Sequence, residues 1–342
     1  MASVDGGGIR GLSSLLILRE IMERIRYLEG LPKAPLPSEY FDIIGGTSTG
    51  GIIAIMLGRL GMSVDEAIDA YRKLAAKVFS ETKSRFKDGK FKASNLESVA
   101  REIVRERTGN PEEKMLVPDA TVPKWIVCNS FVCAMAAANM EAGVPTLIRT
   151  YRAPDNFLPD CTIIRAVRAT TAAPTFFKPA YLDESETAAY IDGGMGCNNP
   201  VDWVLIEAEN LFPGRKVASI VSIGTGHPGT ISIPKAGLFQ RVLPLDVVNA
   251  IQRIATDCER KANEIERRFV NISDVYFRFS VDQGLQGIGL GDWERSKDIE
   301  GATQQYMRLE RVHKPLGRAV AVIRERKGII PVNQISTARI HS

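Results

Sequence analysis

The stretch FDIIGGTSTGGIIAIMLGRLG at Phe41–Gly61 constrains the fold more than any other part of the chain. The apolar run at Phe41–Ile44 reads as a short strand, and the glycine and hydroxyl residues after it read as a tight turn. The apolar run from about Thr49 to Leu60 reads as a helix. A strand that turns sharply into a helix packs that helix back on its own sheet, the repeating step of an α/β fold. Within the turn, G-x-S-x-G places Ser48 between Gly46 and Gly50. A serine held in a strained strand-to-helix turn projects its hydroxyl above the sheet and needs small neighbours. Ser48 is therefore the candidate nucleophile, with Gly46, Thr47, Thr49 and Gly50 forming the elbow. A helix cap in a glycine turn would use the same residue types.

The rest of the chain alternates in the same way. Leu12, Leu15, Leu16, Leu18, Ile21, Met22 and Ile25 recur at helical spacing up to Gly30, ahead of the proline-rich PKAPLPSEY. Ser63 and Glu66 form a capping box at the start of MSVDEAIDAYRKLAAKVF. Arg72–Lys114 is the most polar region, read as a solvated excursion with a helix near Asn95–Arg107, or as a flap beside a site. KWIVCNSFVC, TLIRTYRA, AAYIDGG and KVASIVSIGTG read as strands; Ile163–Thr171, Pro200–Leu211 and Val247–Arg268 read as helices. With no compositional break to mark a linker, residues 1–342 read as one domain with helices on both sheet faces.

A serine hydroxyl is a poor nucleophile until a base takes its proton. The order Ser48, Asp192, His227 would suit a triad. Asp192 alone would also suit, because it ends the strand AAYI and enters the turn DGGMG. The residues leave dyad and triad open, and an Asx turn at Asp192 competes with both.

A second glycine cluster, DGGGIRG at Asp5–Gly11, opens the chain. It lacks the G-K-[ST] of a phosphate-binding P-loop. As a dinucleotide fingerprint it lacks a substantial preceding strand, and Ile25 stands at the distance where an acid would be needed.

Four blocks in fixed order resemble the patatin-like phospholipases, with a fungal-type catalytic domain as the expectation. They are DGGGIRG at Asp5–Gly11, GTSTGG at Gly46–Gly51, RATTAAPTFFKP at Arg168–Pro179 and IDGGMGCNNP at Ile191–Pro200. The resemblance implies a three-layer α/β/α fold with a central, mostly parallel sheet. It also implies a Ser48–Asp192 dyad supported by the Asp loop of Gly193 and Gly194, with His227 outside the mechanism. The backbones of Gly6, Gly7 and Gly8, with Arg10 beside them, become the oxyanion hole.

The implied activity is phospholipase A-type hydrolysis of acyl esters by way of an acyl-enzyme, without cofactor or metal. Related readings are a transacylase and a triacylglycerol, galactolipid or lysophospholipid hydrolase. A dormant scaffold or lipid-binding domain would keep the same motifs. Met56, Leu57, Phe176, Phe177, Leu285, Ile288 and Leu290 are candidates for an acyl cleft, and GLQGIGLGDW for either a movable rim or a packed loop. Family members carry a fuller apolar strand before D-G-G-G than MASV, the pattern expected of a catalytic domain taken from a longer protein.

The formal charge of +4 gives no nucleic-acid signature, and no run of 18 apolar residues would span a bilayer. The five cysteines are odd in number and widely spaced, which reads as reduced core thiols. With no leader pattern, the expectation is a cytoplasmic protein that meets phospholipid or other acyl lipids at a membrane or micelle surface.

Overall fold

Three residues, Ala2–Val4, form the strand (β1) at the middle of the central sheet. The computed structural model describes residues 1–80, 91–117, 128–139, 143–154, 158–174, 176–226 and 258–336. The strand that looked too short in sequence is thus present. It pairs in parallel with Ile43–Thr47 (β2) on one side and Ile220–Ile223 (β7) on the other. Both neighbours supply main-chain partners, so three residues suffice to seat it.

Outward from β2 come Asn129–Ala136 (β3, parallel), then Ala189–Asp192 (β6) and Ala180–Tyr181 (β5), both antiparallel. Thr146–Arg149 (β4) also pairs antiparallel with β3. Beyond β7, Tyr276–Phe279 (β8) adds in parallel. The sheet therefore has a parallel heart and an antiparallel flank.

Alternate residues of each strand face opposite layers. Ile44, Val132 and Ile223 join a core with the helices Gly11–Glu29 (α1), Thr49–Ala54 (α2), Val64–Phe79 (α3), Ala93–Thr108 (α4) and Ile163–Thr170 (α5). Ile43, Phe131 and Cys133 face the other way, against Val204 of helix Val201–Leu211 (α6). Val201 and Leu205 of α6 pack with Ile265 from the helical residues 258–268 and with Phe269 in the turn that follows. Two C-terminal helices, Ser296–Arg308 (α7) and Glu310–Glu325 (α8), complete the first layer.

Local signals explain several boundaries. Ser63 accepts the Glu66 N–H while the Glu66 carboxylate accepts the Ser63 N–H, which fixes the start of α3. The helix after Ser48 widens into a π-turn at Ile55–Arg59, where one continuous helix was expected. KVASIVSIGTG splits: Lys216–Val217 pairs instead with Ile330–Pro331 at the margin. All five cysteines are free and buried. The N-terminal part of the expected helix Val247–Arg268, His227, and residues 81–90 of the expected flap lie outside the described residues.

One buried ion pair joins β4 to α6. Arg149 donates to both carboxylate oxygens of Glu207 at 2.6 and 2.8 Å, and the Tyr151 hydroxyl donates to the same group. Glu207→Ala removes the carboxylate these donors share and lowers stability by about 3–5 kcal/mol, as urea unfolding will measure.

Candidate active site

The strand register gathers the chemistry at one edge. Val4 lies beside Gly46 and Ile223, Thr47 beside Cys133, and Ala134 beside Asp192. The residues that follow β1, β2, β7 and β8 therefore emerge together at the carboxyl ends of the parallel strands, where α/β sheets bind ligands. Asp192 reaches the same point from the antiparallel side.

Ser48 occupies the turn between β2 and α2 with φ 55° and ψ −124°, a conformation that costs a non-glycine residue about 1–3 kcal/mol. The surroundings hold it there. Its N–H donates to Thr170 Oγ1 at 2.9 Å, and that hydroxyl donates onward to the Cys133 carbonyl at 2.7 Å. Thr47 Oγ1 donates to the Cys197 carbonyl at 2.7 Å, tying the elbow to the Asp loop. A Cβ on Gly46 would stand 2.1 Å from the Gly50 carbonyl oxygen, and one on Gly50 would stand 2.3 Å from that of Val4. Both positions therefore require glycine.

The strained turn aims Ser48 Oγ at Asp192 Oδ2, to which it donates a hydrogen bond at 2.7 Å. The other carboxylate oxygen accepts the Gly194 N–H, also at 2.7 Å, so the Asx turn and the serine contact coexist. Asp192 is buried, and burial pushes its pKa up to about 6 against the opposing pull of the Ser48 hydroxyl and the Gly194 N–H.

The DGGGIRG turn lies across Ser48. The Gly6 N–H donates to the Asn198 carbonyl at 3.3 Å, and the Gly7 N–H donates to Thr49 Oγ1 at 3.1 Å. Gly8 has φ +58° and lies so close to the Leu290 backbone that a Cβ would clash at 2.3 Å. Among the described residues, the Gly8 N–H has no protein acceptor. Tyr71 Oη donates to the Gly8 carbonyl, and the Ile9 N–H donates to the Leu290 carbonyl at 2.9 Å. Arg10 is 5% exposed, donates from Nε to the Gly7 carbonyl at 3.4 Å, and has no carboxylate partner among the described residues.

A cleft of about 100 Å³ joins these groups, bordered by Arg10, Ser48, Phe79, Phe176, Phe177 and Leu290. Of the expected apolar lining, Phe176, Phe177 and Leu290 border it, whereas Met56 and Leu57 are core residues 2% and 0% exposed. Leu285 and Ile288 of GLQGIGLGDW are buried as well, whereas Gly284, Gln286, Gly287, Gly289 and Asp292 between and beside them are exposed.

Sequence reasoning missed the supports: Thr170, Asn198, Thr225 and Arg278. Thr170 and Asn198 lie inside the quoted blocks, but only their contacts reveal what they hold. Arg278 sits in a strand that carried no motif.

A sequence model of the family described as patatin-like phospholipase matches residues 2–205. The chain is 26% identical to phospholipase A I of Arabidopsis thaliana over 89% of its own length and 26% of that protein. It is 30% identical to human calcium-independent phospholipase A2-gamma over 66% of this chain and 28% of the relative. With the cGAMP-activated phospholipase of Vibrio cholerae serotype O1 it shares 31% identity over 66% of this chain and 63% of the relative. The chain thus spans about a quarter to a third of the first two relatives.

The raised Asp192 pKa has a stability consequence. The folded-state value lies above the unfolded one, so the ionised carboxylate costs stability at neutral pH, and that cost disappears as pH falls through about 6 towards 4. Asp192→Asn is expected to gain ~1–3 kcal/mol over the native protein at pH 7.5, with the difference shrinking towards pH 4.5 in thermal unfolding.

Proposed function

The chain belongs to the patatin-like phospholipase family, and from that membership we propose that it is a lipid acyl hydrolase of phospholipase A type. The observation that carries this reading is the 2.7 Å hydrogen bond from Ser48 Oγ to the buried Asp192 carboxylate. In the proposed mechanism Asp192 Oδ2 accepts the Ser48 proton as Oγ attacks the ester carbonyl. The carbonyl oxygen becomes negative in the transition state and needs a donor already in place. We assign that role to the Gly8 N–H, with Gly6 and Gly7 held as the frame that aims it. Protonated Asp192 returns its proton to the leaving alcohol. It then takes a proton from the water that attacks the acyl-serine and passes it to Ser48 Oγ as the fatty acid leaves, which restores the starting dyad.

A pKa near 6 suits this task, because the group is ionised at neutral pH yet more basic than an exposed carboxylate. Arg10 supports a phospholipid over a neutral glyceride. Its buried guanidinium at the edge of the cleft favours an anionic group beside the reacting ester. Nucleophile, base and oxyanion donor all come from the chain, so the proposed turnover is calcium-independent. Among the described residues no helix is long and apolar enough to cross a membrane, and we propose that the protein meets lipid peripherally.

Release of fatty acid from a short-chain phosphatidylcholine tests the reading. Ser48→Ala and Asp192→Ala are expected to lose at least 1,000-fold in turnover on the order seen for such groups, while His227→Ala and added EDTA leave it unchanged. Retained turnover in Ser48→Ala refutes the assignment. In a pH–rate profile, kcat/KM is expected to fall about tenfold per pH unit below a midpoint near 6, as the base protonates, and to level off above it. Arg10→Gln is expected to raise KM for phosphatidylcholine about 10-fold or more, as for a lost charge-assisted hydrogen bond, and to spare an uncharged short-chain ester.

A further inference from the structure

The main chain of the glycine turn is fastened on several sides. The Asp5 N–H donates to the Ile223 carbonyl at 3.0 Å, and the Gly6 carbonyl accepts from Asn198 Nδ2 at 3.1 Å and Thr225 Oγ1 at 2.9 Å. The side chain that opens the turn is fastened from much farther along the chain. Arg278 of β8 donates from Nη2 to Asp5 Oδ2 at 2.6 Å and from Nη1 to Asp5 Oδ1 at 3.1 Å, and Nη1 also donates to Ser222 Oγ at 2.9 Å.

The sheet is built to let this happen. Ser3, Ser222 and Arg278 stand in register across β1, β7 and β8, so their side chains share one face. Both serines are fully buried and small, which leaves a lane over β7 for the long arginine side chain to reach Asp5 beyond β1. Asp5 is 1% exposed, and burial raises its pKa while the Arg278 guanidinium opposes that rise.

A buried ion pair of this kind seldom improves on a well-packed apolar contact in stability. What a planar guanidinium fork supplies is direction, because two parallel hydrogen bonds fix the rotation of the carboxylate. Asp5 is three residues from Gly8, the one turn amide without a protein acceptor among the described residues. We propose that Arg278 is a positioning residue for the reaction, clamping Asp5 so that the Gly8 N–H points at the oxyanion. This rests on the ester-hydrolase reading above. It assigns a reaction role to a residue outside the segment 2–205 matched by the family.

The test compares Arg278→Lys with the native chain. Lysine keeps the positive charge but cannot span both Asp5 oxygens and Ser222. Three quantities are measured: kcat and KM on short-chain phosphatidylcholine, inhibition by a trifluoromethyl ketone lipid that forms an oxyanion on Ser48, and binding of a non-hydrolysable diether phosphatidylcholine. The expected outcome is a fall in kcat on the order of 10–100-fold with KM within about twofold. Ketone inhibition weakens by a similar factor while diether binding is unchanged.

Ser222→Ala removes one hydrogen bond from the clamp, keeps the ion pair, and gives the same pattern at about 3–10-fold. It carries the test if the lysine variant does not fold. Native kcat and ketone inhibition in a folded Arg278→Lys, or equal weakening of ketone and diether, overturns the clamp. Ser48→Ala is assayed alongside. If it is dead while Arg278→Lys is native-like, only the clamp fails; if it is active, the hydrolase reading fails and the clamp with it.

Discussion

A hydroxyl held 2.7 Å from a buried carboxylate is the contact around which this molecule is arranged. Neither partner would adopt its state alone. Ser48 sits in a left-handed conformation that side chains avoid, and Asp192 is ionised where water is excluded. The sheet register, the glycines at Gly46 and Gly50, and the Thr170 and Gly194 hydrogen bonds offset those costs. The strain is maintained by packing on all sides, so a single added methyl group at either elbow glycine would collide with main-chain atoms.

Electrostatics around the site follow the same logic. Among the charged groups that line the cleft, Asp192, Asp5 and Arg10 are each treated differently. Asp192 has two donors and, among the described residues, no cation, which suits the proposed role of base. Asp5 has a guanidinium fork, which opposes the rise in its pKa that burial causes. Arg10 has a carbonyl but no carboxylate among the described residues, which leaves its charge open to a ligand. The contrast between the two arginines separates a group that shapes the site from one that can meet a substrate.

Much of this was legible in the sequence, and for physical reasons. Sharp turns restrict residue type strongly, so Gly46–Gly50 and the DGGG cluster could be located before any coordinates. Helical periodicity gave α3, which buries one continuous stripe, and α1, whose first two turns are buried all round before a single face continues through Ile21, Met22 and Ile25. Periodicity could not show that Ala2–Val4 is a strand, since its order comes from neighbours on both sides rather than from its own length. It could not separate the cleft residues Phe176 and Phe177 from Met56 and Leu57, because lining and core are equally apolar. Nor could it find Arg278, whose partner is 273 residues away and whose path depends on two buried serines in register.

The central claim is that Ser48 reacts because Asp192 takes its proton. Labelling with a fluorophosphonate, followed by intact mass and peptide mapping, reads this without any assumption about the lipid. The expected result is a single adduct on Ser48 that forms in the native chain and fails to form on the same timescale in Asp192→Asn. An adduct on another residue, or undiminished labelling of Ser48 in the folded Asp192→Asn chain, would contradict it.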